Sequence, residues 1–73
     1  MIHTVRVCYM YQDNARTLYC DELYIVKAET QYDAMKKTEK FVAKLKSNPV
    51  FTFVEAHRPE TGQYGYMIRG IIQ

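Results

Sequence analysis

The sequence predicts an α+β domain of ββαββ order, a four-stranded antiparallel sheet with one helix on one face. Three observations carry this expectation. Residues 2–12 and 17–28 alternate branched and aromatic side chains with polar ones around a short polar break. From residue 30 the apolar period lengthens to that of a helix and holds until Ser47, Asn48 and Pro49. Two more runs of strand character, residues 50–57 and 64–72, then follow around a Pro and Gly turn.

The first run, IHTVRVCYMYQ, places Val5, Val7, Tyr9 and Tyr11 on one side, and such residues suit a pleated surface. DNAR is a polar break of hairpin length, and TLYCDELYIVKA resumes the strand, so residues 2–28 read as a β-hairpin. The helix starts at AETQYD, with Thr30 as N-cap and Asp33 in the first turn, where a negative charge is favoured. Ala34, Thr38, Phe41, Val42 and Leu45 form its apolar stripe, and Phe41, Val42 and Leu45 are expected in the core. VFTFVEAH is the third strand and YGYMIRGII the fourth.

The helix returns the chain to its starting end, so strand three fits antiparallel beside strand one and the expected spatial order is 2-1-3-4. One helix covers one face of such a sheet and leaves the other open. If facing residues of the hairpin have numbers that sum to 28, Val5 meets Leu23, Tyr9 meets Tyr19, Arg6 meets Glu22 and Cys8 meets Cys20. The open face then carries Ile2, Arg6, Cys8, Met10, Leu18, Tyr24 and Val26. In the last strand Tyr64, Tyr66, Ile68 and Ile72 are expected on the helix side, and Met67, Arg69 and Ile71 on the open side. An open face of this apolar content marks a site for a partner or a second copy.

Seventy-three residues make a single domain, 1–73, and 48% apolar with 25% charged residues is the composition of a folded chain. The net charge of +2 is far from the dense basic stripe of a dedicated DNA-coating protein. No apolar run is long enough to span a bilayer and no leader pattern opens the chain, so a cytoplasmic location is expected. The two cysteines, Cys8 and Cys20, read as free thiols.

No residue pattern points to catalysis. His3 and His57 stand at no metal-ligand spacing from a second histidine or a cysteine, so neither a metal nor a cofactor is expected. Cys8 and His57 lack the glycine-rich elbow or oxyanion loop of a nucleophilic site, and Glu22, Glu55 and Glu60 are spaced as surface charge. Lys36, Lys40 and Lys44 line one ridge of the helix, with Lys37 and Lys46 nearby. That ridge reads first as a solvated face, and otherwise as a contact for phosphate or for an acidic protein.

Y-G-Y-M within QYGYMIRG resembles the middle of the RNA-recognition-motif octamer, which would make Tyr64 and Tyr66 a stacking platform. Gly62 and Gln63 hold its leading places and Arg69 its last aromatic place, and the motif's fold needs a βαββαβ order. A broader resemblance lies in KAETQYDAMKKTEKF after a hairpin, followed by FVEAHRP. Over about residues 4–59 this arrangement resembles the small phage-encoded host-takeover inhibitors, both the T7 type that blocks bacterial RNA polymerase and anti-CRISPR proteins of similar ββαβ build. The resemblance implies a non-catalytic protein that obstructs a bacterial protein complex in the cytoplasm of a bacterial host. It assigns Arg58 and Pro59 to the end of the third strand, where arginines contact the polymerase; the companion arginine two places earlier is Ala56 here.

The reading ranks an inhibitor that binds a host protein complex first, a nucleic-acid module second and an enzyme last. The expected contact residues are Arg58, Arg69, Tyr24, Met67 and Met10, with Lys36, Lys40 and Lys44 steering association toward an acidic target.

Overall fold

The structure is a computed structural model that describes residues 1–57 and 68–73. Strand β1 (Ile2–Asp13) and strand β2 (Arg16–Lys27) form the expected hairpin. Only Asn14 and Ala15 join them, both with positive φ, 49° and 67°. This is the conformation of a two-residue type I′ turn, whose twist matches that of the strands it connects. Asn adopts it readily, whereas the alanine methyl costs roughly 1–2 kcal/mol there.

The tight turn shifts the register. Val5 faces Tyr24, Arg6 faces Leu23, Cys8 faces Asp21 and Tyr9 faces Cys20, so partner numbers sum to 29 rather than the expected 28. A shift of one residue moves every side chain of β2 to the opposite face. Leu18, Tyr24 and Val26 therefore lie on the helix side, and Tyr19 and Leu23 on the open side, the reverse of the expectation. The cysteines also part: Cys8 is on the open face, Cys20 on the covered one, and both are free thiols.

Helix α1 (Gln31–Leu45) begins as read, with the Asp33 N–H donating to Thr30 Oγ1 at 3.1 Å. Ala34, Thr38 and Val42 are fully buried, and the Thr38 hydroxyl donates to the Ala34 carbonyl at 2.8 Å. Phe41 is half-buried and meets the Tyr24 ring edge-on, centroids 5.5 Å apart. Leu45 departs from the expected core and is exposed. Its bearing lies within the stripe, but it is the helix's last residue and no further turn shields it. Asn48, at φ 49°, turns the chain out of the helix.

Strand β3 (Val50–His57) pairs antiparallel with β1 as expected, from Thr4 opposite His57 to Met10 opposite Val50. The register shifts where Cys8 faces Phe53 and Tyr9 faces Phe51, which leaves Thr52 as the extra residue of a bulge. Its hydroxyl donates to the Cys8 carbonyl at 3.2 Å.

Strand β4 (Ile68–Ile72) corrects the predicted topology. It lies parallel to β2, so the sheet is mixed and its order is β3-β1-β2-β4, not an antiparallel 2-1-3-4. Adjacency of consecutive strands is the default, and it placed β4 beside β3. Burial favours the other edge: there Ile72 joins Val26 in the core and Gly70 lies over the Tyr24 ring, where an added Cβ would sit 3.6 Å from the ring. A second register shift, between Leu23 and Tyr24, puts Ile68 on the open side with Ile71, and Ile68 is exposed instead of covered by the helix. Residues 64–67 of the expected strand lie outside the described residues.

The core sits between α1 and one face of the sheet. It contains Val5, Val7, Tyr9, Tyr24, Val26, Ala28, Ala34, Val42, Ala56 and Ile72. His3 is buried at the same face, and among the described residues neither ring nitrogen has a hydrogen-bond partner, which costs on the order of 1–3 kcal/mol.

Candidate binding surface

The face away from α1 is built from alternate residues of all four strands. β1 contributes Ile2, Thr4, Arg6, Cys8 and Met10; β2 contributes Tyr19, Asp21, Leu23 and Ile25; β3 contributes Val50, Phe53, Glu55 and His57; β4 contributes Ile68 and Ile71. A band of charge crosses it obliquely. Arg6 donates to both oxygens of Asp21, Nε to Oδ1 at 3.1 Å and Nη2 to Oδ2 at 2.8 Å, a fork that fixes the guanidinium plane. The Phe53 ring lies 5.5 Å from the guanidinium carbon, a cation–π distance. Glu55 faces Arg6 across the strand pair and its carboxylate lies 2.6 Å from His57 Nε2.

Apolar side chains flank this band on both sides. Ile2, Ile68 and Ile71 are exposed on one side, and Tyr19, Val50 and Phe53 on the other, Tyr19 at 77%. Thr4 and Leu23 belong to the same face but are buried, so the accessible apolar surface lies around them. Burial and the Asp21 carboxylate push the Cys8 thiol up from its ordinary value, with Arg6 opposing, so it stays protonated at neutral pH and is a poor nucleophile.

The opposite face holds a half-buried carboxylate differently. Glu22 faces Val7 on the helix side, where its Oε1 accepts from the Tyr9 hydroxyl at 2.7 Å and the Tyr24 hydroxyl at 3.1 Å. Arg69 Nε stands 3.4 Å from Glu22 Oε2 and ties β4 to β2. Burial, then the hydrogen bond to Glu22, pushes the Tyr9 phenol far above its ordinary value. Burial, then the Glu22 charge, raises Tyr24 to about 12. Every polar group in this cluster has a partner, which suits a structural role.

The expected contact residues fall in different places. Met10 is on the open face, half-buried beside Tyr19. Arg69 is exposed, but its guanidinium reaches Glu22 on the helix side. Tyr24 is corrected: it is 2% exposed, in the core beneath α1, and offers no surface for a partner. Arg58 and Met67 lie outside the described residues, as do Pro59, Glu60, Gly62, Gln63, Tyr64 and Tyr66. Lys36, Lys40 and Lys44 are exposed on α1, on the far side of the molecule from the open sheet face. The sequence reading missed Tyr19, Val50 and Phe53. The signal for Tyr19 was the Asn14 position, since a two-residue turn there reverses the faces of β2.

Among the described residues, no three His, Cys, Asp or Glu side chains come together as a metal-binding group, and no helix is long and apolar enough to cross a membrane. Comparison with protein-family models, curated proteins and solved structures gave no match to this chain.

Proposed function

We propose that this is a small non-catalytic binding protein that docks through its open sheet face on a larger protein and obstructs it. The observation that carries the reading is the set of exposed Ile2, Tyr19, Val50, Phe53, Ile68 and Ile71 around the Arg6–Asp21 pair. Exposed apolar groups on both sides of a fixed charged pair suit an interface, in which aromatic and arginine side chains dominate binding energy. The likeness of the hairpin, the AET-led helix and the third strand to phage-encoded host-takeover inhibitors supplies the class of target, a bacterial transcription or defence complex in the host cytoplasm. In the absence of that target, a second copy covers the face and makes a homodimer, which sedimentation equilibrium would detect as a concentration-dependent mass.

The test is affinity capture from bacterial lysate with the wild-type protein and with a Tyr19→Ser/Phe53→Ser variant, together with transcription by purified bacterial RNA polymerase in the presence of each. Both substitutions are on exposed side chains, so far-ultraviolet circular dichroism should be unchanged. The wild type retains a discrete protein complex, and the variant loses at least tenfold in retention, as about 2 kcal/mol per hot-spot residue requires. Equal retention by the two proteins sinks the reading.

A further inference from the structure

We infer that the outer ridge of α1 is a second, separate contact surface, one that takes the sugar–phosphate backbone of a nucleic acid. The charge of this chain is concentrated there. Residues 31–46 hold five of its ten basic side chains and two of its eight acidic ones, which leaves the remainder with five against six. Tyr32, Lys36, Lys40 and Lys44 follow one another at four-residue spacing, so each step advances about 6 Å along one side of the helix.

The other cations of the helix are engaged. Lys37 Nζ donates to the Lys27 carbonyl at 2.6 Å, and Lys46 Nζ sits 4.6 Å from the Tyr11 ring centroid. Of the two acids, Asp33 lies in the first turn, where its N–H donates to the Thr30 cap, and Glu39 reaches Lys36 at 3.4 Å. Such a surface pair is worth little. Lys36 also lies 5.4 Å from the Tyr32 ring centroid and remains exposed. Lysines four apart oppose the helix that carries them, and no acid between Lys40 and Lys44 relieves them.

The chemistry of the ridge selects its ligand. Between Lys36 and Lys44 the exposed positions are Lys37, Lys40 and Ala43, with no arginine fork and no apolar anchor. Protein interfaces are depleted in lysine and enriched in aromatic residues and arginine, so a lysine row whose exposed aromatic, Tyr32, stands at its first turn is a poor match to a protein partner. A row of point charges instead suits a regular array of phosphates. Each strand of a duplex carries one charge per roughly 3.4 Å of axis, so a ridge of about 12 Å spans about three of them on the strand it faces. Contacts of this kind bind without reading sequence. The ridge and the open sheet face lie on opposite sides of the sheet, so either can be occupied without covering the other. The inference therefore stands whether or not the sheet face docks a protein.

Fluorescence anisotropy with a labelled 20-base-pair duplex and a labelled single-stranded RNA, at 50 and 200 mM salt, tests it. Three phosphate contacts predict that affinity for the duplex falls about 40-fold between those salts, with non-specific binding near the weak end of the range, about 10⁻⁴ M, at the higher one. A Lys36→Gln/Lys40→Gln/Lys44→Gln variant keeps its circular dichroism spectrum and loses both the binding and its salt slope, while Tyr19→Ser/Phe53→Ser keeps them. No binding at 50 mM salt, binding unchanged by the triple substitution, or competition by polyglutamate as effective as by unlabelled duplex would each overturn the proposal.

Discussion

Tyr19 and Tyr24 are five residues apart on β2, yet one is 77% exposed and the other 2%. They lie on opposite faces, and the difference between those faces organises the protein. The covered face is a layer of valine, alanine and tyrosine closed by α1, and its half-buried carboxylate, Glu22, accepts from two phenols. The open face keeps its carboxylates paired with Arg6 and His57 in the open and leaves tyrosine, phenylalanine and isoleucine in water. Identity of residue type does not assign a role in this chain. The parity of its position does, and a two-residue turn sets the parity.

Paired substitutions break the comparison most directly. Tyr24→Ala removes a buried ring that packs on Phe41 and Gly70 and should cost about 3–5 kcal/mol, enough to unfold much of a domain this small. Tyr19→Ala should stay within about 0.5 kcal/mol. Urea unfolding of both reads the contrast, and comparable losses would mean that the register is wrong.

Alkaline titration probes the same asymmetry without mutation. The Tyr24 phenol is raised from 10.0 to about 12, so the folded state holds its proton more tightly than the unfolded state does. The stability this contributes is complete below about pH 10 and is lost as pH rises toward 12, an effect on the order of 2 kcal/mol. Tyr9 shifts in the same direction and adds to it. The unfolding midpoint in urea should therefore drop between pH 9 and pH 11.5, and a midpoint that is flat over this range would contradict the burial of the two hydroxyls.

Neighbouring carboxylates sharpen the comparison further. Glu22→Ala leaves the buried Tyr9 hydroxyl unpaired and frees Arg69, at a cost of about 1–3 kcal/mol. Asp21→Ala removes a pair in which both side chains keep a third or more of their exposure, and should cost less than about 1 kcal/mol. Thermal unfolding of the two variants would show the order, and a larger loss for Asp21→Ala would reverse the assignment of faces.

The smallest effect concerns the turn that creates the faces. Ala15→Gly gives the second turn position a residue at ease with φ 67°, and should raise stability by about 0.5–1 kcal/mol with the register unchanged. A decrease in the urea midpoint would argue against a type I′ turn.

Local chemistry was legible in the sequence wherever neighbours in the chain decide it. The hairpin, the Thr30 cap, the buried stripe of Ala34, Thr38 and Val42, and the bounds of β3 follow from periodicity, capping and turn residues within a few positions of one another. The candidate surface was legible through β1, whose alternation assigned Ile2, Arg6, Cys8 and Met10 to the open side without reference to a partner strand, and at Ile71 of β4. Tyr24 was misassigned because the faces of β2 depend on whether the turn holds two residues or three, and the DNAR stretch fits either.

Tertiary structure decided the rest. Whether β4 joins β3 or β2 is a competition between edges, settled by where Ile72 can be buried and where Gly70 admits the Tyr24 ring. Neither quantity exists until the helix has closed the covered face. The amino-acid order by itself determined which segments form strands and helix, because backbone preference and side-chain period are properties of adjacent residues. The packed molecule alone determined strand order and the composition of the open face, because these depend on the apolar area each arrangement removes from water.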